Sequence, residues 1–130
     1  MKTLAVCYSK TGTTKKVAKA IVKNLHCDLD ELKFDEKTKK VSDSRNPAQY
    51  DRVIILSPIW AFSLSEPMKR YLEKHKSKIK AYSLVVTCGM LGLRGCVGKC
   101  KSIIGKPPEK SMKFKKKDVL RGNYDISTVS

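Results

Sequence analysis

The sequence predicts an α/β fold in which a doubly wound parallel sheet has helices on both faces. Short apolar runs alternate with amphipathic runs along most of the chain, and strands that alternate with crossover helices form parallel sheets. A loop of hydroxyl residues around Gly12 lies between the first apolar run and the first amphipathic run. A chain of 130 residues has the usual length of one domain, so we expect a single domain over residues 1–130.

In the first half of the chain, the apolar pattern predicts three strands and one helix. Residues 2–8 have the composition of a buried strand, and the apolar residues within 13–25 recur at helical spacing. Apolar residues between 29 and 34 mark a short second strand. Residues 35–49 are polar, which predicts a mobile loop, and 53–56 is the clearest buried strand.

The second half predicts two helices and two further strands. The Ser-Glu-Pro sequence over 65–67 is a helix start signal, because it combines a capping hydroxyl, an acid and an early proline. A fourth strand follows over 80–88, an amphipathic helix over 93–104, and a fifth, edge strand around 112–114. Turn-forming residues beyond this strand predict that the C-terminal helix is absent. One face of the sheet would then need cover from the tail or from a second copy in a homo-oligomer, or else the chain is truncated.

Charge and cysteine content restrict the class of protein. Lysine and arginine number 28 against 12 acidic residues, and the net charge of +16 predicts a broadly basic surface. Such a surface attracts acidic proteins, nucleic acid or anionic lipid without selecting among them, although no RNA-binding or zinc-finger motif accompanies the lysines. The odd number of cysteines, five, favours reduced thiols. We see no signal peptide or membrane span, and therefore expect a cytoplasmic protein.

The loop over residues 9–14, Ser-Lys-Thr-Gly-Thr-Thr, predicts a phosphate cradle. It follows a predicted strand and precedes a helix, whose first turn offers free backbone N–H groups and positive dipole potential to an anion. Its hydroxyl groups add donors, and Gly12 permits a tight turn. A second interpretation stays open, in which Thr13 or Thr14 only caps the helix.

With Tyr8 before it and Lys-Lys-Val-Ala over 15–18 behind it, this loop resembles the FMN phosphate loop of the flavodoxin family. Residues 51–60 resemble that family's third strand and first flavin-flanking loop, and 83–89 resemble its fourth strand and second flavin loop. The resemblance implies a flavodoxin-like, five-stranded parallel sheet of order 2-1-3-4-5. It also implies an FMN site at the carboxyl ends of the strands, beside the reversal in strand order.

The resemblance implies three groups of FMN-binding residues, with neither a catalytic side chain nor a metal site. The first group surrounds the phosphate, the second flanks one side of the flavin ring with Trp60 as the stacking residue, and the third lines the other side. The three groups are Ser9, Lys10, Thr11, Gly12, Thr13 and Thr14; Pro58, Ile59, Trp60 and Ala61; and Thr87, Cys88, Gly89 and Met90.

The chain departs from the family pattern in two further respects. Its second flavin loop has no aromatic residue to cover the outer face of the ring, and its surface is basic where flavodoxins are typically acidic. We therefore predict an FMN-binding electron-transfer protein that exchanges electrons with a partner reductase, and we expect an acidic surface on that partner.

Three alternatives to this function stay open. The first is a basic protein- or nucleic-acid-interaction module on the same fold without a cofactor. The second is an FMN-dependent NAD(P)H reductase, although no separate dinucleotide fingerprint is present. The third rests on Cys88 and Arg94, whose spacing resembles the phosphate loop of cysteine phosphatases and would use the thiolate as nucleophile.

Overall fold

The computed structural model describes residues 2–60, 63–88 and 92–122, and its helices and strands alternate along the chain. Short 3₁₀ turns over Pro47–Gln49 and Lys76–Lys78 complete the regular structure. In chain order the elements are β1 (Thr3–Cys7), α1 (Thr13–Leu25), β2 (Asp28–Glu31), β3 (Lys33–Asp35), β4 (Lys40–Ser42), β5 (Arg52–Trp60), β6 (Ser63–Leu64), α2 (Glu66–His75), β7 (Tyr82–Cys88), α3 (Leu93–Ile104), β8 (Ser111–Lys115) and α4 (Lys116–Leu120).

Five parallel strands form the main sheet in the order β2-β1-β5-β7-β8. This arrangement confirms the predicted order 2-1-3-4-5, because β5, β7 and β8 are its third, fourth and fifth strands. Cys7 pairs with Leu56, and Pro58 pairs with Thr87, so the carboxyl ends of β1, β5 and β7 meet at one edge. The strand order reverses at β1, and a ligand site is expected beside that reversal.

Each face of the sheet is covered by helices that bury an apolar core. On one face α2 and α3 pack on the sheet through Met68, Tyr71, Cys96 and Cys100, all fully buried. On the other face α1 packs on the sheet. Burial raises the pKa of the Cys100 thiol to about 12, so this group behaves as a small apolar side chain.

The prediction of a mobile loop over 35–49 was wrong, because β3 and β4 form a hairpin there. The buried Asp30 carboxylate holds the segment that follows, accepting hydrogen bonds from the Ser44 hydroxyl at 3.0 Å and from the backbone N–H groups of Ser44 and Arg45. Next to it, Asp43 accepts hydrogen bonds from Lys74 and His75 of α2. These long-range contacts order a polar segment that carries little local signal.

The chain beyond β8 also differs from the sequence prediction, which had no helix there. Lys116–Leu120 form the short helix α4, and Val119 is fully buried against α1. Val119 covers part of the face for which we expected the tail or a second copy. Asn123 and Asp125, two of the turn-forming residues beyond the predicted fifth strand, lie outside the described residues. Within the ranges that the structure describes, none of the helices has the length and apolar character needed to cross a bilayer.

Candidate functional site

A cavity of about 200 Å³ opens at the edge where the strands' carboxyl ends meet. Its walls come from the loop between β1 and α1, the ends of β5 and β7, and the start of α4. The residues that line it are Ser9, Lys10, Thr11, Thr13, Thr14, Pro58, Ile59, Trp60, Thr87 and Lys116. Four segments far apart in sequence therefore line one cavity.

Most of the predicted FMN-binding residues line this cavity, and a few lie outside the described residues. Gly12 lies in the loop between two lining residues, and Cys88 ends β7. Ala61, Gly89 and Met90 lie outside the described residues, as does the side chain of Cys88. Of the residues predicted for the second flavin loop, Thr87 is the one found in the described lining of the cavity.

Gly12 sets the geometry of the loop that precedes α1. Its backbone is left-handed, with φ at 94°, and its N–H donates to the Ser9 hydroxyl at 3.0 Å. The Gly12 carbonyl then accepts the Lys16 N–H at 3.0 Å, which starts the helix. Because the N-cap residue has no side chain, it supplies no hydrogen bond to the first turn of α1. The interpretation of Thr13 or Thr14 as the cap was wrong, since both lie inside the helix.

A buried hydroxyl pair joins this loop to β7. The Thr14 and Thr87 hydroxyl oxygens are 2.7 Å apart, a normal distance for an O–H···O hydrogen bond. Both side chains are buried and both line the cavity. The pair therefore positions the start of α1 against the sheet, and Thr87 serves the site through this hydrogen bond.

Trp60 is the aromatic residue in the described lining of the cavity. Trp60 is half-buried and packs edge-on against Tyr8, with 5.7 Å between ring centroids. Tyr8 packs in the same manner on Phe34 of the hairpin, at 6.3 Å. The antiparallel pairing of Trp60 with Ser63 holds its backbone. Trp60 is therefore braced at its edge and lines the cavity, as a ring-stacking residue would.

Positive charge surrounds the cavity. The first turn of α1 contributes the positive end of the helix dipole, and Lys10 and Lys116 add two ammonium groups. Lys10 is 3.8 Å from a Glu36 carboxylate oxygen, and its Nζ lies 5.8 Å from the centroid of the Trp60 ring. Among the described lining residues there is no carboxylate, so the site is suited to an anion.

Lys116 was not predicted as a site residue. Its signal in the sequence was the Lys-Lys-Lys run over 115–117 at the end of the predicted fifth strand. In a parallel sheet that end lies at the same edge as the phosphate loop, so topology together with charge could have found it. Local motif matching could not, because no part of the flavodoxin resemblance covers this residue.

The described lining of the cavity contains no histidine, cysteine or carboxylate. Burial, with the nearby charge of Glu31, raises the pKa of Cys7 to about 12, which keeps that thiol protonated. Arg94, from the phosphatase-like pattern, is exposed on α3 and does not line the cavity. In the described ranges no group of three or more His, Cys, Asp or Glu side chains could hold a metal ion.

Comparisons with known proteins agree with the fold. Residues 5–129 match the model of the flavodoxin domain family. In structure, the chain is similar to the flavoprotein in complex with FMN from Lactobacillus acidophilus NCFM. The two are 21% identical over 92% of this chain and 97% of that one, with a TM-score of 0.78.

Two flavodoxins are also similar in structure. One is the flavodoxin bound to flavin mononucleotide from Fusobacterium nucleatum, at 19% identity over 86% of this chain and 70% of that one, with a TM-score of 0.56. The other is a flavodoxin from the domain Archaea, at 16% identity over 99% and 98% of the two chains, with a TM-score of 0.58. No curated protein sequence matches the chain.

The left-handed turn at Gly12 makes a prediction about stability. A Cβ at this position would meet no atom within 4 Å, so Gly12→Ala tests backbone strain alone. We expect the free energy of unfolding to fall by about 1 kcal/mol. The matched control is Gly98→Ala in α3, where a Cβ is also unobstructed and φ is not positive. This variant should be more stable by about 0.5–1 kcal/mol. Urea denaturation measures both, and a loss at Gly98 equal to that at Gly12 would contradict the account.

Proposed function

This chain belongs to the flavodoxin family, and we propose from that membership that it binds FMN in the cavity and exchanges electrons with a partner protein. One observation carries the proposal. A helix terminus suited to a phosphate and an aromatic side chain suited to a planar ring lie in the walls of the same cavity. The Lactobacillus and Fusobacterium proteins of the same fold were crystallised with FMN, which supports the choice of ligand.

The residues present fit the phosphate end of FMN. With Gly12 at the cap, the first turn of α1 keeps its backbone donors for an anion. The Thr11 and Thr13 side chains line the same cavity and can donate hydroxyl hydrogen bonds. Hydrogen bonds to a charged acceptor are about twice as strong as neutral ones, so this end of the site would supply much of the affinity.

The residues present also fit the flavin ring. Trp60 offers an aromatic surface within the cavity, and Pro58 and Ile59 supply an apolar wall beside it. Bound FMN would supply the capacity to accept and release electrons, and the protein would hold the ring, limit its contact with water and set the charge around it. Positive charge from Lys10 and Lys116 would favour the reduced, more negative flavin.

The hairpin extends the basic surface beyond the cavity. Lys39 Nζ lies 5.8 Å from the ring centroid of Phe34, which contacts Tyr8 and, through it, Trp60. A partner that approaches these aromatic residues would therefore meet positive charge. We propose that its docking surface is acidic, because opposite charge accelerates encounter at low ionic strength.

Reduced cysteines support a cytoplasmic location as part of the same proposal. Cys7, Cys27 and Cys100 are free thiols. The cytoplasm keeps thiols reduced, and of these three Cys7 and Cys100 are buried while Cys27 is partly buried.

Flavin titration tests the binding proposal. We expect the wild-type protein to quench FMN fluorescence and shift its visible spectrum. Thr11→Ala combined with Thr13→Ala should weaken FMN about tenfold or more, because hydrogen bonds to the phosphate are lost, and should leave riboflavin binding unchanged. Ser102→Ala, an exposed hydroxyl on α3, is the matched control. Equal losses of FMN and riboflavin affinity would contradict the proposal that the loop binds the phosphate. If the wild-type protein gave no quenching at about 50 µM FMN, the proposed function would be contradicted.

Small oxidants of opposite charge test the basic surface. Oxidation of the reduced, FMN-loaded protein by anionic ferricyanide should slow as salt is added, while oxidation by cationic hexaamminecobalt(III) should accelerate. Lys39→Glu should slow the ferricyanide reaction about two- to threefold at low salt. Lys101→Glu makes the same charge change in the last turn of α3, at the far end of a helix that runs away from the cavity edge. Equal effects of the two variants, or the opposite salt dependence, would contradict the proposal.

A further inference from the structure

We propose that Lys116 is a phosphate ligand of the bound flavin nucleotide, and that α4 is the element that positions it. The inference rests on the proposed FMN function and adds a residue that lies outside the flavodoxin-like loops. It makes the segment after β8 part of the cofactor site.

The sheet brings Lys116 to the phosphate loop. Lys115, the last residue of β8, pairs with Cys88, so β8 and β7 end at the same level of the sheet. Thr87 precedes Cys88 on β7, and its hydroxyl is bonded to Thr14 at the start of α1. Lys116 is the next residue after β8 and lines the cavity that contains both threonines.

Val119 fixes α4 on the helix whose N-terminus forms the cradle. Its side chain is fully buried, in a core with Val17, Ala18 and Ile21 of α1. Backbone hydrogen bonds from Arg121 to Lys117 and from Gly122 to Val119 end the helix. Lys116 therefore extends from an anchored turn, on the same side of the sheet as α1.

The Lys116 charge has no partner among the described residues. No carboxylate there forms an ion pair with it. Lys10, the other lysine of the cavity, is already paired with Glu36 and lies over the Trp60 ring. Lys116 is thus the cavity cation left to neutralise an anion.

Positive charge is concentrated around Lys116. Lys116 opens α4, where the helix dipole is positive, and it shares a cavity with the positive end of α1. Its neighbours Lys115 and Lys117 add like charge, while Asp118 is the acidic residue of that turn. A phosphate bound at the start of α1 would be attracted by this charge and would reduce the repulsion among these groups.

The selectivity of binding tests the role of Lys116. FMN and riboflavin share the ring and differ in the phosphate, so loss of a phosphate ligand should affect FMN alone. We expect Lys116→Gln to weaken FMN about fivefold at low salt, to leave riboflavin unchanged and to reduce the salt dependence of FMN binding. Lys116→Arg should restore most of the affinity. Lys117→Gln removes the same charge one residue away, outside the cavity lining, and should bind both flavins as the wild type does.

Each outcome of these titrations decides a separate point. Equal FMN affinity in the Lys116→Gln and Lys117→Gln proteins would overturn the role of Lys116 while leaving the proposed function intact. A loss of FMN and riboflavin binding to the same extent would also overturn it, since that result indicates a structural effect. A wild-type protein that binds neither flavin would overturn the proposed function and this inference together. Competition by inorganic phosphate against FMN should be weaker in Lys116→Gln than in the wild type, and an unchanged competition would count against the proposal.

Discussion

Parallel pairing of β1 with β5, and of β5 with β7, is the constraint on which the site depends. It sets the ends of three strands at one edge, with Cys7 beside Leu56 and Pro58 beside Thr87. Each loop that leaves this edge must therefore enter the same small volume. The Thr14–Thr87 hydroxyl pair then joins the start of α1 to β7 at 2.7 Å. A loop with the same sequence on an isolated helix would have neither Trp60 in the same cavity nor this hydrogen bond to β7.

The positive charge of this chain distinguishes it from an acidic flavodoxin of the same fold. The cavity combines a helix N-terminus with two lysines and has no carboxylate in its described lining, on a chain with a net charge of +16. Concentrating positive charge in this way costs stability, and a bound anion offsets the cost. The same charge would favour an acidic partner near the ring. Under the proposed function, cofactor binding and partner choice would both depend on one electrostatic feature, which separates this protein from an acidic flavodoxin on the same fold.

The parts of the fold that depend on local pattern could be predicted from sequence, and those that depend on distant contacts could not. The buried strand over 53–56 and the loop over 9–14 carry strong local signals, and parallel topology then places both at the site. The β3–β4 hairpin was missed because Asp30 holds the segment behind it through contacts with Ser44 and Arg45. Lys116 was missed because its relation to the cradle exists only after β8 pairs with β7.

The central claim is that the first turn of α1 binds the phosphate of FMN, and amide NMR during an FMN titration tests it most directly. The account predicts that the backbone N–H signals of Gly12, Thr13 and Thr14 shift strongly and saturate with the ligand, because these groups lie at the cradle. Riboflavin should leave them nearly unshifted while still perturbing Trp60. Saturable FMN binding that leaves the three amides in place, or riboflavin shifts as large as those of FMN, would contradict the account.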